Sequence, residues 1–209
     1  MREIKLKARA KINLGLDVVR KREDGYHEVR MIMQMINLYD RITLRRSTEP
    51  GIRVTTNLPY LPVNEDNLVY RAAKLLMEEF KVTVGAEIEL QKYIPVAAGM
   101  AGGSSDAAAT LVGINRLFKL GLSERELMDR AVKIGADVPY CIMRGTALAE
   151  GIGEELTPLP AMPHCSLVIA KPKIHVSTKF VYGNLKVGEL TEHPDIDGQV
   201  QALRENNLE

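Results

Sequence analysis

An α+β protein is what this sequence predicts, on three observations. Apolar and polar residues alternate with a period of two through much of the first 55 positions, the pattern of half-buried strands. From about residue 68 apolar positions recur every three or four residues, the spacing of helices buried along one face. The chain has 209 residues, 45% hydrophobic and 26% charged, an ordinary globular composition that excludes a fibre or a disordered tail. A chain of this length buries roughly 70% of its unfolded surface, so its core needs no disulfide or metal staple.

Ile4, Leu6 and Ala8 alternate with Lys5, Lys7 and Arg9, and Ile12, Leu14, Leu16 and Val18 continue the pattern. Arg20–Gly25 is charged and ends in Asp24-Gly25, a hairpin turn signal. Two strands are then expected, Glu28–Ile36 and Asp40–Arg46, with Gly51–Thr55 as a short partner. Asn57–Asp66 contains Pro59 and Pro62 without periodicity and reads as a loop. Asp66 or Asn67 caps the next helix, whose stripe is Leu68, Ala72, Leu75, Leu76 and Phe80. Glu87–Gln91 returns to alternation. A glycine-rich loop leads into an alanine-rich helix running to Lys119, with Gly121 just beyond. Ser123 and Glu126 form a capping box for a further helix that stops at Gly135. Prolines at 158, 160 and 163 predict a break and a domain boundary, giving domains 1–157 and 158–209. Beyond it Ser166–Ala170 reads as a strand, Ser177–Leu185 as a helix, and Asp197 opens a last short helix.

Composition also excludes functions. Lys+Arg 28 against Asp+Glu 27 leaves a net charge of +1, so no global field recruits nucleic acid or an anionic membrane. Cys141 and Cys165 make no disulfide framework and no metal-ligand spacing. The start MREIKLKARAKINLGL lacks the apolar stretch of a secretory signal, and no apolar run is long enough to span a bilayer. A soluble, reduced, cytoplasmic protein is expected. With Trp 0, Phe 3 and Tyr 7, any site that stacks a base on a ring has few residues to use.

Chemistry concentrates in Pro95, Val96, Ala97, Ala98, Gly99, Met100, Ala101, Gly102, Gly103, Ser104 and Ser105, which join a strand to a helix. Glycines let backbone N–H groups close on a ligand, and the helix start adds partial positive charge. Ser104 and Ser105 supply hydroxyls at the same place. These are the parts of a phosphate cradle, although neither a Walker A lysine nor GxGxxG spacing is present. A glycine-rich turn with Ser104 as a plain N-cap accounts for the glycines and serines equally well.

The run Pro-x-x-x-Gly-x-x-Gly-Gly-Ser-Ser-Asp-Ala-Ala resembles the ATP-binding motif of the GHMP kinases. Three further blocks agree: Ala10–Leu14, Asp24-Gly25-Tyr26-His27 and Gly135-Ala136-Asp137-Val138-Pro139. Together they are most similar to the kinases that phosphorylate 4-diphosphocytidyl-2-C-methyl-D-erythritol in the non-mevalonate route to isoprenoids. Met100 stands where that family usually has Leu. The resemblance implies the GHMP kinase fold, with a ribosomal-S5-like N-terminal domain and the start of a C-terminal α/β-plait domain. It implies ATP and Mg²⁺, with the loop 95–105 on the nucleotide, and a small cytidyl substrate. Asp137 and Lys11 become the catalytic pair. Asn13, Tyr26, His27, Met33, Thr178 and Tyr182 become the substrate side, Tyr26 stacking on cytosine. Ser105 is a candidate for the metal, whose ligands the sequence leaves open.

Read without the resemblance, Lys11 is a solvated strand lysine, Asp137 a turn carboxylate, and Asp24–His27 a hairpin. A homoserine or mevalonate kinase type, a non-catalytic nucleotide-binding fragment, and an RNA-binding module using Lys5, Lys7, Arg9 and Lys11 remain alternatives. In the family a third glycine-rich segment covers the phosphates. Gly183, Gly188 and Gly198 are isolated, so the C-terminal domain is expected to be truncated.

Overall fold

Two long strands organise the chain: β1 (Glu3–Lys21) and β2 (His27–Ser47), which pair with each other. The computed structural model describes residues 2–172, 174 and 177–207, with all their side chains except Thr178 and Lys179. Its contacts divide into two compact units. One comprises Met1–Ala10, Ile36–Val96 and Ala101–Met143; the other comprises Lys11–Met35, Ala97–Met100 and Arg144–Glu209.

In the first unit β2 runs antiparallel to β4 (Gly85–Gln91), in register from Arg41↔Gln91 to Ser47↔Gly85. β4 in turn pairs in parallel with β3 (Ile52–Thr56). A parallel pair requires a crossover, and α1 (Leu68–Glu79) supplies it. Asn67 is the residue that caps α1, its side chain accepting from the Val69 N–H. The layer of helices is completed by α2 (Gly102–Phe118), α3 (Glu124–Ala131) and α4 (Val138–Met143). Ile42, Leu44, Ile88, Leu90, Leu111 and Ile114 fill the core between strands and helices. α2 comes so close to the sheet that a Cβ on Gly113 would lie 2.0 Å from Leu44 Cδ1 and 2.9 Å from Leu6 Cδ1. The Ser123–Glu126 capping box opens α3 as expected.

In the second unit Met31–Gln34 of β2 pairs antiparallel with β5 (Thr146–Glu150), and β5 with β6 (Glu155–Leu159). α5 (Thr178–Asn184) begins at the Ser177 cap, and α6 (Ile196–Glu205) at Asp195. α6 lays Ile196, Val200 and Leu203 on Ile32 and Leu148.

The structure corrects four expectations. Residues 28–46 form one strand because the buried Asp40 is paired, so its polarity does not interrupt the ladder. Pro158 lies inside β6 opposite Ala147; at a sheet edge a missing N–H costs little. Ser166–Ala170 forms no strand: it has no partner among the described residues, and Val168 is 99% exposed. The alanine-rich helix ends at Phe118, where Lys119 turns left-handed at φ 57°.

Candidate active site

The loop from Pro95 to Ala101 is shaped by backbone conformations that L-residues rarely adopt. Ala97 (φ 52°), Gly99 (φ 71°) and Ala101 (φ 51°) are left-handed, alternating with Ala98 and Met100. Such alternation of backbone conformation is a common feature of turns whose N–H groups bind anions. Alanine in this region costs of order 1–3 kcal/mol, strain usually found where function requires it. Ala101 is also the N-cap of α2 and offers no side-chain cap, so Ser104 is not the cap. The first intrahelical bond here is Ser105 N–H to the Ala101 carbonyl. The N–H groups of Gly102, Gly103 and Ser104 therefore precede the ladder and have no hydrogen-bond acceptor among the described residues. Ser105 is buried, and Ser104, half-buried, is the more accessible hydroxyl.

Lys11 is not a solvated strand lysine. It is 5% exposed, at the point where β1 ceases to alternate and both Ala10 and Lys11 are buried. Its Nζ donates to Asn13 Oδ1 at 3.1 Å, and its backbone N–H donates to the Met100 carbonyl at 3.1 Å. The structure thus brings Lys11 and Asn13 to the Ala97–Met100 part of the loop. Asp137 belongs to the other unit. It is half-buried and immediately precedes α4, its carbonyl accepting from the Cys141 N–H, while Pro139 occupies the first turn where no donor is missed. Burial pushes the neighbouring Tyr140 phenol up, with Cys141 and Asp137 adding to the rise.

Tyr26 sits on the β1–β2 turn, 60% exposed, with its N–H on Asp24 Oδ1 and its carbonyl accepting from Arg22. That backbone N–H, followed by the Arg22 guanidinium, holds the Asp24 carboxyl below its ordinary range. His27 stacks at a tilt on Tyr182 of α5, ring centroids 5.0 Å apart. Its Nε2 is buried with no hydrogen-bond partner among the described residues. Met33 is fully buried within β2. Thr178 opens α5, but its side chain lies outside the described residues.

Sequence reasoning missed a buried ion triad at the loop's base. Lys92 Nζ donates to Asp106 Oδ2 at 2.7 Å and also to Asp40 Oδ2. Burial drives the Asp106 carboxyl well above its ordinary range; Lys92 opposes the rise and Asp40 adds to it. Burial alone would pull the Lys92 ammonium down, but its two carboxylate partners outweigh it and hold it up. The available signal was Asp106 itself, a carboxylate opening a buried Ala-Ala-Ala face, which demands a cation nearby.

Comparison with known proteins bears on this arrangement. Residues 67–145 match the GHMP kinases N terminal domain. The 4-diphosphocytidyl-2-C-methyl-D-erythritol kinase of Lachnospira eligens is 61% identical over 204 residues, covering 98% of this chain and 71% of that protein. The enzyme of the same name from Acetivibrio thermocellus is 50% identical, covering 100% and 73%. A crystal structure of 4-(cytidine 5'-diphospho)-2C-methyl-D-erythritol kinase superposes with a TM-score of 0.76 at 32% identity, covering 98% of this chain and 72% of that one. Homoserine kinase from Cytophaga hutchinsonii, 21% identical with a TM-score of 0.67, shares the fold.

Proposed function

This chain belongs to the 4-diphosphocytidyl-2-C-methyl-D-erythritol kinases, a family of GHMP kinases, and from that premise we propose how its residues transfer a phosphoryl group. It is a small-molecule kinase, and the reaction is ATP-dependent phosphorylation of the 2-hydroxyl of 4-diphosphocytidyl-2-C-methyl-D-erythritol, a step of isoprenoid precursor synthesis. The observation that carries the mechanism is the Lys11 N–H bound to the Met100 carbonyl, which joins the candidate catalytic strand to the phosphate loop.

The loop N–H groups at 102–104 and the left-handed turns before them hold the nucleotide's phosphates. Tyr26 stacks on the cytosine ring, His27 Nε2 meets the base edge, and Asn13, Met33, Thr178 and Tyr182 are the further residues assigned to the substrate side. Asp137 accepts the proton of the attacking hydroxyl. Lys11, steered by Asn13, balances the charge that develops on the transferring phosphoryl group. Phosphoryl transfer passes through a loose transition state, so positioning and electrostatics outweigh base strength.

Magnesium, bound with the nucleotide, would neutralise phosphate charge, and it usually keeps several waters and only one or two protein ligands. The donor set suits that mode: among the described residues no three or more His, Cys, Asp or Glu side chains converge on a metal position. Ser104 and Ser105 are the hydroxyls at the loop's end. No helix among the described residues is long and apolar enough to cross a membrane. Cys141 is buried and Cys165 exposed, and a reducing cytoplasm is the compartment that suits these thiols.

The test is a product assay with ATP, Mg²⁺ and the cytidyl substrate, followed by location of the new phosphate. Asp137→Ala should lower kcat by roughly 10²–10⁴-fold while nucleotide still binds, and Lys11→Ala should do comparable damage. Phosphate appearing on homoserine or mevalonate instead would overturn the substrate. Asp137→Ala within a few-fold of the parent would remove Asp137 as the base.

A further inference from the structure

The phosphate loop has two feet, Ile94 three residues beyond β4 and Gly102 where it enters α2, and both rest on one buried cluster. At the first foot, Asp40 Oδ1 accepts from the Tyr93 N–H at 2.5 Å and the Ile94 N–H at 2.8 Å. Its second oxygen accepts from Lys92 Nζ. Asn57 brackets the same segment, accepting from the Lys92 N–H at 2.8 Å and donating to the Lys92 carbonyl at 3.1 Å. At the second foot, the same Lys92 ammonium donates to Asp106 Oδ2 at 2.7 Å, in the second turn of α2. Gly102 makes room for this: a Cβ there would lie 3.1 Å from Lys92 Nζ and 3.1 Å from Ile94 Cγ2.

Two features set this cluster apart from a bond that merely stabilises the fold. Placing a cation beside a helix start opposes the helix dipole, and the two carboxyls must offset that. Asp106 Oδ1 is also buried with no partner among the described residues. A half-satisfied buried carboxyl is costly, and an apolar residue of similar size would pack at less cost.

We infer that Asp106 and Lys92 are positioning residues that fix the span of the phosphate loop, and so set the enzyme's affinity for the triphosphate of its nucleotide. Asp40 anchors the upstream foot to β2, and Lys92 bridges it to Asp106 on α2. With the bridge intact the N–H groups of Gly102, Gly103 and Ser104 keep a constant distance from the upstream foot at Ile94. Cutting it frees α2 to shift along its own axis, so the cradle no longer meets the phosphates as a unit. The cytidyl side is built from other residues and is unaffected.

The inference rests on the kinase reading above, so its test measures nucleotide binding directly as well as turnover. Asp106→Leu cuts the bridge yet leaves Lys92 and Asp40 as a charge-balanced pair, so the core stays neutral. Calorimetry with a non-hydrolysable ATP analogue and Mg²⁺ should show affinity weakened about tenfold or more. Steady-state kinetics should show KM for ATP raised to match, with kcat and KM for the cytidyl substrate within about threefold of the parent. Asp106→Asn, which keeps an acceptor for Lys92, should restore most of the lost affinity. If Asp106→Leu does not fold, Asp106→Ala carries the same expectation without the added bulk. Unchanged nucleotide affinity in a folded Asp106 variant would overturn the inference, as would a fall in kcat alone. Failure of the parent protein to bind the analogue would instead refute the kinase reading.

Discussion

Removing the Tyr26 ring tests the substrate side most directly, because the structure separates its effect from folding. The turn around Tyr26 is held by backbone and Asp24 bonds: Tyr26 N–H to Asp24 Oδ1, Arg22 N–H to the Tyr26 carbonyl, and Gly25 N–H to the Arg22 carbonyl. None involves the ring, and the residue is 60% exposed. Tyr26→Ala should therefore leave the turn and the melting temperature nearly unchanged. Stacking of a base on an aromatic ring contributes about 1–3 kcal/mol, and each 1.36 kcal/mol is tenfold. KM for the cytidyl substrate should rise about 5- to 150-fold on those figures, while KM for ATP stays within twofold. Initial rates with each substrate varied in turn give both constants. Equal rises in both, or a marked loss of thermal stability, would refute the reasoning and make Tyr26 part of the scaffold.

Asp106 also predicts a pH dependence. Its carboxyl is raised in the folded state by burial, and Lys92 and Asp40 are the charged groups facing it. The stability it contributes is thus fully present below the unfolded carboxyl pKa, about 3.9, and is lost as pH rises through the raised folded value. Asp106→Asn removes that loss, so urea midpoints of variant and parent should move apart in the variant's favour as pH increases; a constant difference would contradict the raised carboxyl. Gly113→Ala should destabilise despite its better helix propensity, because the new methyl meets the fully buried Leu44 and also Leu6. Overpacking at the upper end of about 1–3 kcal/mol, less about 1 kcal/mol of propensity, leaves a loss of about 1–2 kcal/mol. A thermal melt should fall by about 2–8 °C; an unchanged or raised midpoint would show that the sheet gives way.

Elements whose own residues dictate them were legible in the sequence. Asn67 and Ser123 cap helices through local side-chain bonds, and the alternation from Ile4 to Ala10 is buried on one face as its pattern requires. Illegible elements depended on distant partners. Asp40 looked like a strand end because its cation, Lys92, lies 52 positions away. Pro158 looked like a breaker because nothing local shows that β6 is an edge, and Ser166–Ala170 looked like a strand because alternation says nothing about a missing neighbour. Around the site, the glycines mark a turn between strand and helix, but the left-handed Ala97 and Ala101 could not be read from alanines. The burial of Lys11 was hidden too, since a lysine in a charged strand normally faces water.

The bond from the Lys11 N–H to the Met100 carbonyl has a practical consequence. This amide is buried and its acceptor is the loop itself, so its hydrogen exchanges with solvent only when loop and strand separate. One backbone deuteron therefore serves as a clock for loop opening, read at a residue that needs no label or substitution. Its exchange rate without ligand reports how often the cradle comes apart, and the slowing as nucleotide is added reports how firmly the phosphates hold it shut. Amides of β4 such as Leu90, paired within the sheet to Ile42, provide the slow reference against which that clock is set.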